Sequence, residues 1–245
     1  MDHWLLLVFA AIVVGASKGG LASAAALAVP MLALVMSPVG AAATLLPVYL
    51  VTDWVSVWLY RRDYSKRNLA ILIPSMLLGV VLATILTPVL PEAALLLATG
   101  LIGFWFLARD WMNRAVIVPT QAGLVPGIFW GTITGITSFI THSGGPPSQA
   151  YLLPQRLPKL VFAGTIAIAF TVGNLAKLPG YWVIGALDRL DWSLTTLLVA
   201  AGICGTFLGR RVVEILPEEA YRTAIKALLL LLSVVLVTKG GLGLL

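Results

Sequence analysis

Apolar runs long enough to cross a bilayer core as helices recur along the whole of this chain, and nothing between them is long enough to form a soluble domain. They are Trp4 to Met36, interrupted at "GASKGG", Val39 to Tyr60, Leu69 to Thr87, Ala93 to Ala108, Ala122 to Leu153, interrupted at "THSGGPP", Leu160 to Ile184, Trp192 to Leu208, and Ala220 to Val237. The pattern predicts an all-α polytopic membrane protein with one transmembrane domain over residues 1–245. Composition agrees: 60% of the residues are hydrophobic and 11% charged, against about 25% charged in soluble domains.

The net charge of +6 does not point to nucleic acid. Its basic residues lie in short connections between apolar runs, where cytoplasmic loop bias explains them. Cys204 stands alone, so no intrachain disulfide can form. "MDHWLLLVFAAIVVGA" has an apolar core but no basic residues ahead of it, and it runs straight into further apolar sequence. It reads as part of the first segment rather than as a cleaved signal peptide.

The first and fifth segments are the broken ones, which suggests duplication. Aligning the halves puts "KGG" at 18–20 on "SGG" at 143–145, Pro30 on Pro154, and Thr44 on Thr165. Asp53 then falls on Asn174 with the same spacing, Gly79 on Gly205, and "LPEA" at 90–93 on "LPEEA" at 216–220. Matched Gly, Pro, Thr and Asp/Asn positions carry weight where matched Leu and Ala would not. The expected repeats cover about residues 1–115 and 120–245, with four helical segments each.

Trp4 to Gly15 gives only about 18 Å of helix and Leu21 to Met36 about 24 Å, both short of the roughly 30 Å hydrocarbon core. Re-entrant hairpins at both breaks would gather Arg61, Arg62, Lys66, Arg67, Arg109, Arg114, Arg156, Lys159, Arg210 and Arg211 on one side, leaving Arg189 and Lys239 on the other. Full crossings would shrink that asymmetry. The positive-inside rule therefore favours hairpins, inverted repeats and both termini outside the cytoplasm.

Irregular backbone at membrane depth must be buried in protein or line a cavity. The two breaks are expected to face each other inside the bundle. A half-helix is expected to start after each, at Leu21 and near Pro147, with Ser23 and Ser148 in its first turn. Free N–H groups there, at Gly19 and Gly20 and at Ser143, Gly144 and Gly145, would suit an anion. Lys18 adds a full charge whose burial costs about 2.5–3.5 kcal/mol on insertion scales.

Asp53 is the carboxylate placed to neutralise Lys18 when no substrate is bound; a structural ion pair or a snorkelling lysine is the competing reading. His142 can carry a proton, donate to the same anion, or make a structural hydrogen bond. Thr44, Thr165 and Asn174 are repeat-related polar positions that can line the site or simply bond a helical carbonyl. Lys177, one turn after Asn174, is a second buried cation or another snorkelling side chain. With His3 the only other histidine, no metal site is expected, and no motif implies a cofactor. The four-residue spacing of Gly127, Gly131 and Gly135, and of Gly205 and Gly209, reads as close helix packing.

"GASKGGLASAAALAVPMLAL", "YLVTDWVSVWLYRRDY", "THSGGPPSQAYLLPQRLPKLVFAGT" and "FTVGNLAKLPGY" resemble the sulfite and sulfonate exporters of the TauE/SafE type over about residues 4–238. The resemblance implies secondary transport of sulfur-containing anions across a bacterial cytoplasmic (inner) membrane, in the direction of export. "KGG" at 18–20 and "HSGG" at 142–145 match the family's Gly-rich breaks. This chain departs by carrying Ser17 and Lys18, or His142 and Ser143, where many members carry glycines.

The expected function is thus a non-enzymatic carrier for sulfite or a small sulfonate, working by alternating access, with H+ or Na+ as candidate coupling ions. The lipid bilayer is its surroundings, and association into a homo-oligomer is compatible with this reading. A small-carboxylate carrier, an anion channel and an intramembrane enzyme using His142 and Asp53 are the competing functions.

Overall fold

The structure, a computed structural model, describes residues 3–18, 24–112, 121–188, 190–215 and 217–244. These form ten α-helices and no strand among the described residues. They are α1 (Trp4–Lys18), α2 (Ala25–Leu32), α3 (Pro38–Tyr60), α4 (Lys66–Leu86), α5 (Glu92–Met112), α6 (Leu124–Thr141), α7 (Gly145–Leu152), α8 (Lys159–Val183), α9 (Trp192–Ile215) and α10 (Glu218–Leu242). Four described stretches are long and apolar enough to cross a membrane: Pro38–Trp58, Lys66–Val89, Leu124–Thr141 and Trp192–Gly209. Large apolar side chains such as Phe9, Ile85, Val125, Phe207 and Leu231 cover the exterior, and Trp58, Trp182 and Trp192 are exposed near helix ends. An apolar shell with exposed tryptophans near helix ends suits a multi-pass membrane protein.

Local sequence sets the helix starts. Ser37 precedes Pro38 and caps α3 by accepting from the Gly40 N–H at 3.2 Å. Asp191 caps α9 through the N–H groups of Ser193 and Leu194 at 2.9 and 3.2 Å. Side-chain oxygens there satisfy donors that the helix leaves free.

Both broken segments fold back. Val13 of α1 packs on Leu27 of α2; fourteen residues of straight helix would separate them by about 21 Å, so the chain reverses between them. In the second break, a Cβ on Gly127 at the start of α6 would come within 3.0 Å of the Tyr151 ring on α7. The second helix of each pair is short, eight residues in both cases. The expected arm from Leu21 to Met36 is helical only over Ala25–Leu32: Leu21 itself lies outside the described residues, and beyond Leu32 turns through Leu34 and Met36 lead to the Ser37 cap.

Glycine ladders fix which helices lie side by side. Gly127 faces Ile71, Gly131 faces Ser75 and Gly135 meets Gly79, so α6 runs parallel to α4. Gly205 faces Ile12 and Gly209 faces Ala16, so α9 runs parallel to α1. A Cβ on Gly135 would lie 2.1 Å from the Met76 carbonyl oxygen, and one on Gly205 2.3 Å from that of Ile12. Only glycine permits backbones to approach this closely.

These contacts give each hairpin its direction. The start of α8 lies beside the α3–α4 turn, with Gly164 against the Asp63 and Tyr60 carbonyls and the Ser65 N–H donating to Thr165 Oγ1 at 2.9 Å. That end carries Arg61, Arg62, Lys66 and Arg67. Since α6 runs with α4, the α6–α7 hairpin opens toward this arginine-rich end. α8 crosses away from it and α9 returns, so α1, parallel to α9, starts at the far end. The α1–α2 hairpin therefore enters from the opposite side. α3 and α8 are left to run antiparallel through the middle, between the two hairpin tips.

Candidate functional site

The last residue of α1 and the residue that closes α6 meet α3 and α8 at a continuous chain of polar side chains. Lys18, the last residue of α1, forms an ion pair with Asp53 of α3. The other carboxylate oxygen of Asp53 accepts from Asn174 Nδ2 at 2.5 Å. Asn174 Oδ1 accepts in turn from Lys177 Nζ at 2.7 Å, one turn along α8. Lys177 Nζ also lies 2.8 Å from His142 Nδ1, while His142 Nε2 lies 2.8 Å from the Ala42 carbonyl oxygen of α3. Four helices thus contribute to one line of contacts.

His142 reaches this position because it ends α6. Its φ of 53° is left-handed, and its N–H and that of Ser143 donate back to the Ser138 and Thr137 carbonyls. Such a closing turn usually uses glycine, and histidine is among the side chains that tolerate it best. The ring is held on one face by Tyr49, whose centroid lies 4.1 Å away at 21°. The Lys18 ammonium sits 5.5 Å from the same tyrosine ring, and the Tyr49 hydroxyl donates to the Ala25 carbonyl at 3.3 Å. One turn beyond Lys177, the Tyr181 hydroxyl donates to the Phe139 carbonyl.

Burial decides how strongly these groups depend on one another. Asp53, Asn174 and Lys177 are sealed off, and His142 is nearly so. The Lys18 side chain keeps 17% of its surface exposed, which makes it the charged member in reach of an entering solute. Side-chain donors and acceptors inside the chain are matched, as a buried network requires. The charges are not: two basic amino groups face a single carboxylate.

Of the site residues expected from sequence, Lys18, Asp53, His142, Asn174 and Lys177 come together. Ser143 and Gly144 follow His142 and are buried. The Ser143 hydroxyl donates to the Thr141 carbonyl at 3.3 Å. Gly144 packs against Phe170 and Ser138, whereas a Cβ on Gly145 would meet nothing within 4 Å. Gly19 and Gly20 lie outside the described residues, as does Ser23. Thr44 donates to the Gly40 carbonyl at 2.9 Å. Thr165 stands apart at the arginine-rich end, donating to Val161 and accepting from Ser65. Both threonines satisfy helical carbonyls.

The expected fan of free N–H groups at the second half-helix needs correcting. α7 starts at Gly145, and its next two residues, Pro146 and Pro147, have no N–H to offer. The Ser148 N–H is taken by the Gly144 carbonyl at 3.2 Å, and the Ser148 hydroxyl by that of Gly145 at 2.8 Å. Only the N–H groups of Gly144 and Gly145 remain. Charge at this site therefore comes from the lysines more than from the helix end.

Tyr49 and the Ala42 carbonyl are participants the sequence reading missed. Tyr49 precedes Asp53 by one helical turn, so the two share a face of α3, and that spacing was the available signal. No metal-holding group of three or more His, Cys, Asp or Glu occurs among the described residues.

The family model described as "Sulfite exporter TauE/SafE" matches residues 7–236. No curated protein and no solved structure matches the chain. With an all-helical membrane fold and a family match spanning nearly its whole length, the chain belongs to the sulfite exporter TauE/SafE family of membrane transporters.

Proposed function

We propose that this protein is a secondary transporter that exports small sulfur-containing anions, sulfite or an organosulfonate, from a bacterial cytoplasm across the inner membrane. The observation that carries the reading is the charge imbalance at mid-bundle: Lys18 and Lys177 against Asp53 alone, on one chain of hydrogen bonds. Charged groups within a membrane are retained at a cost of a few kcal/mol each and typically mark a solute pathway. A monoanion completes the balance. In its absence Asp53 holds Lys18; an arriving anion competes with the carboxylate for that ammonium.

Alternating access is supported by the opposite entry of the hairpins and by the crossed pairings, α1 with α9 and α4 with α6. In two inverted repeats of about residues 1–115 and 120–245, these pairings are equivalent. Asp53 and Asn174, aligned between the repeats, bond directly to each other, as residues beside a two-fold axis would. Rocking one hairpin and its partner helix against the other exposes the site to one side at a time.

The test is anion flux into proteoliposomes across sulfite, methanesulfonate and acetate, for wild type and Lys18→Gln. A charge-assisted hydrogen bond is worth about 1.5–3 kcal/mol, so the variant is expected to show an apparent KM raised about 10- to 100-fold while remaining folded. Unchanged flux in folded Lys18→Gln removes the lysine from the site. Preference for acetate over both sulfur anions contradicts the substrate class.

A further inference from the structure

We propose that Lys177 and His142 act as one proton-binding unit that couples anion movement to a single proton, making transport electroneutral for a monoanion. This rests on the transport reading above and adds to it the coupling ion, the stoichiometry and the residues responsible.

The geometry sets the bookkeeping. His142 Nε2 faces the Ala42 carbonyl, an acceptor, so that nitrogen carries hydrogen. Nδ1 faces Lys177 Nζ, which also donates to Asn174 Oδ1. With one proton on the unit, an ammonium uses two of its three hydrogens on these partners and the imidazole is neutral. Passing one hydrogen to Nδ1 gives an imidazolium that donates to a neutral amine, and the amine still donates to Asn174. Releasing the proton altogether leaves a neutral amine whose two hydrogens serve the same two acceptors.

All three states keep every hydrogen bond. The unit can therefore change charge without breaking the network that positions it. A histidine enclosed by carbonyls has no such property, since deprotonation leaves one ring nitrogen without a hydrogen facing an acceptor.

The groups facing the unit fix the total. They are Lys18 of α1, Asp53 and Tyr49 of α3, and Tyr181 of α8; both tyrosine hydroxyls already donate to carbonyls. α4 also packs here, bringing Met76 against Gly173 and Thr84 against Gly180, with no ionisable side chain at that depth. Lys18 and Asp53 cancel. A loaded unit leaves one positive charge, which a monoanion neutralises; an unloaded unit leaves none, the state suited to returning empty. Anion without proton, or proton without anion, leaves a net charge in the bundle, which the membrane interior opposes.

The experiment uses proteoliposomes of the full chain with a trapped pH indicator and the membrane potential set by potassium and valinomycin. Methanesulfonate is the main probe, since it stays ionised and has no permeant acid form, and sulfite is the second. Wild type is expected to acidify the lumen by about one proton per anion imported, at a rate indifferent to the potential. His142→Gln, whose amide can still accept from Lys177 and donate to Ala42, is expected to move fewer protons per anion than wild type and to make the remaining flux respond to the potential.

A wild type that imports either anion without luminal acidification, at a potential-dependent rate, overturns the proposal. So does His142→Gln with proton coupling intact. If His142→Gln fails to fold, the wild-type stoichiometry decides by itself. Absence of flux for every anion tested is a different failure: it removes the transport reading on which this coupling depends.

Discussion

Asp53 is the residue on which the site balances. It accepts from Lys18 on one side and from Asn174 on the other, and it is completely buried. Removing one partner from a buried ion pair costs about 3 kcal/mol or more, because the remaining charge is stranded. Asp53→Asn is accordingly expected to lower the thermal stability of the purified protein. Adding sulfite should restore it, by a larger rise in Tm than wild type shows, since the anion then takes the place of the carboxylate. Equal rises in both proteins would deny competition between Asp53 and the anion. Lys18, Asp53, His142 and Lys177 were legible in the sequence because charge and polarity stand out in apolar runs. Tyr49 was not, because an aromatic in a hydrophobic helix gives no contrast, and its role depends on stacking against a residue far along the chain. Thr44 and Thr165 also stand out by polarity, but each hydroxyl donates to a carbonyl of its own helix, so contrast alone does not assign them a role.

At the scale of elements, the glycines divide into those that let helices touch and those that border open space. Gly135 has the Met76 carbonyl and Gly79 pressed against it, so Gly135→Ala is expected to cost about 1–3 kcal/mol by overpacking. Gly145→Ala, with nothing within 4 Å of the added methyl, is expected to leave stability within about 0.5 kcal/mol of wild type. Thermal melts of the two variants side by side check the contrast; equal losses would mean that the α4–α6 contact is not as close as described. The four-residue glycine spacing was readable beforehand as a packing ladder, but which helix it packs against was not. The fold-back of the second break was also ambiguous from sequence, because α6 alone, at 18 residues, is nearly long enough to span. Tertiary contacts such as Gly127 with Tyr151 resolve it. The half-helix N-terminus was overrated because "GPP" removes two of its N–H groups, a fact present in the sequence from the start.

For the whole molecule, the parallel run of α1 with α9 and the antiparallel contacts of α10 with α5 place the start of α1 and the end of α10 on the side away from Arg61, Arg62, Lys66 and Arg67. The positive-inside rule predicts a cytoplasmic arginine-rich end. A reporter active only outside the cytoplasm, fused after Leu245, is expected to be active, and the same reporter in the loop around Tyr64 is expected to be silent. The reverse pattern would invert the orientation. Eight hydrophobic segments, two of them broken, were enough to give the fold class, because the bilayer permits so few alternatives to packed helices. Convergence of residues from four helices on one line of hydrogen bonds was beyond sequence alone, since it depends on the angles at which the hairpins return. The central claim is that this line of contacts holds a sulfur-containing anion in transit, and sulfite flux in proteoliposomes measured for wild type and Lys18→Gln tests it most directly. Saturable wild-type flux that largely disappears at low sulfite in the folded variant is the expected result; equal flux in the two proteins, or none in either, would contradict it.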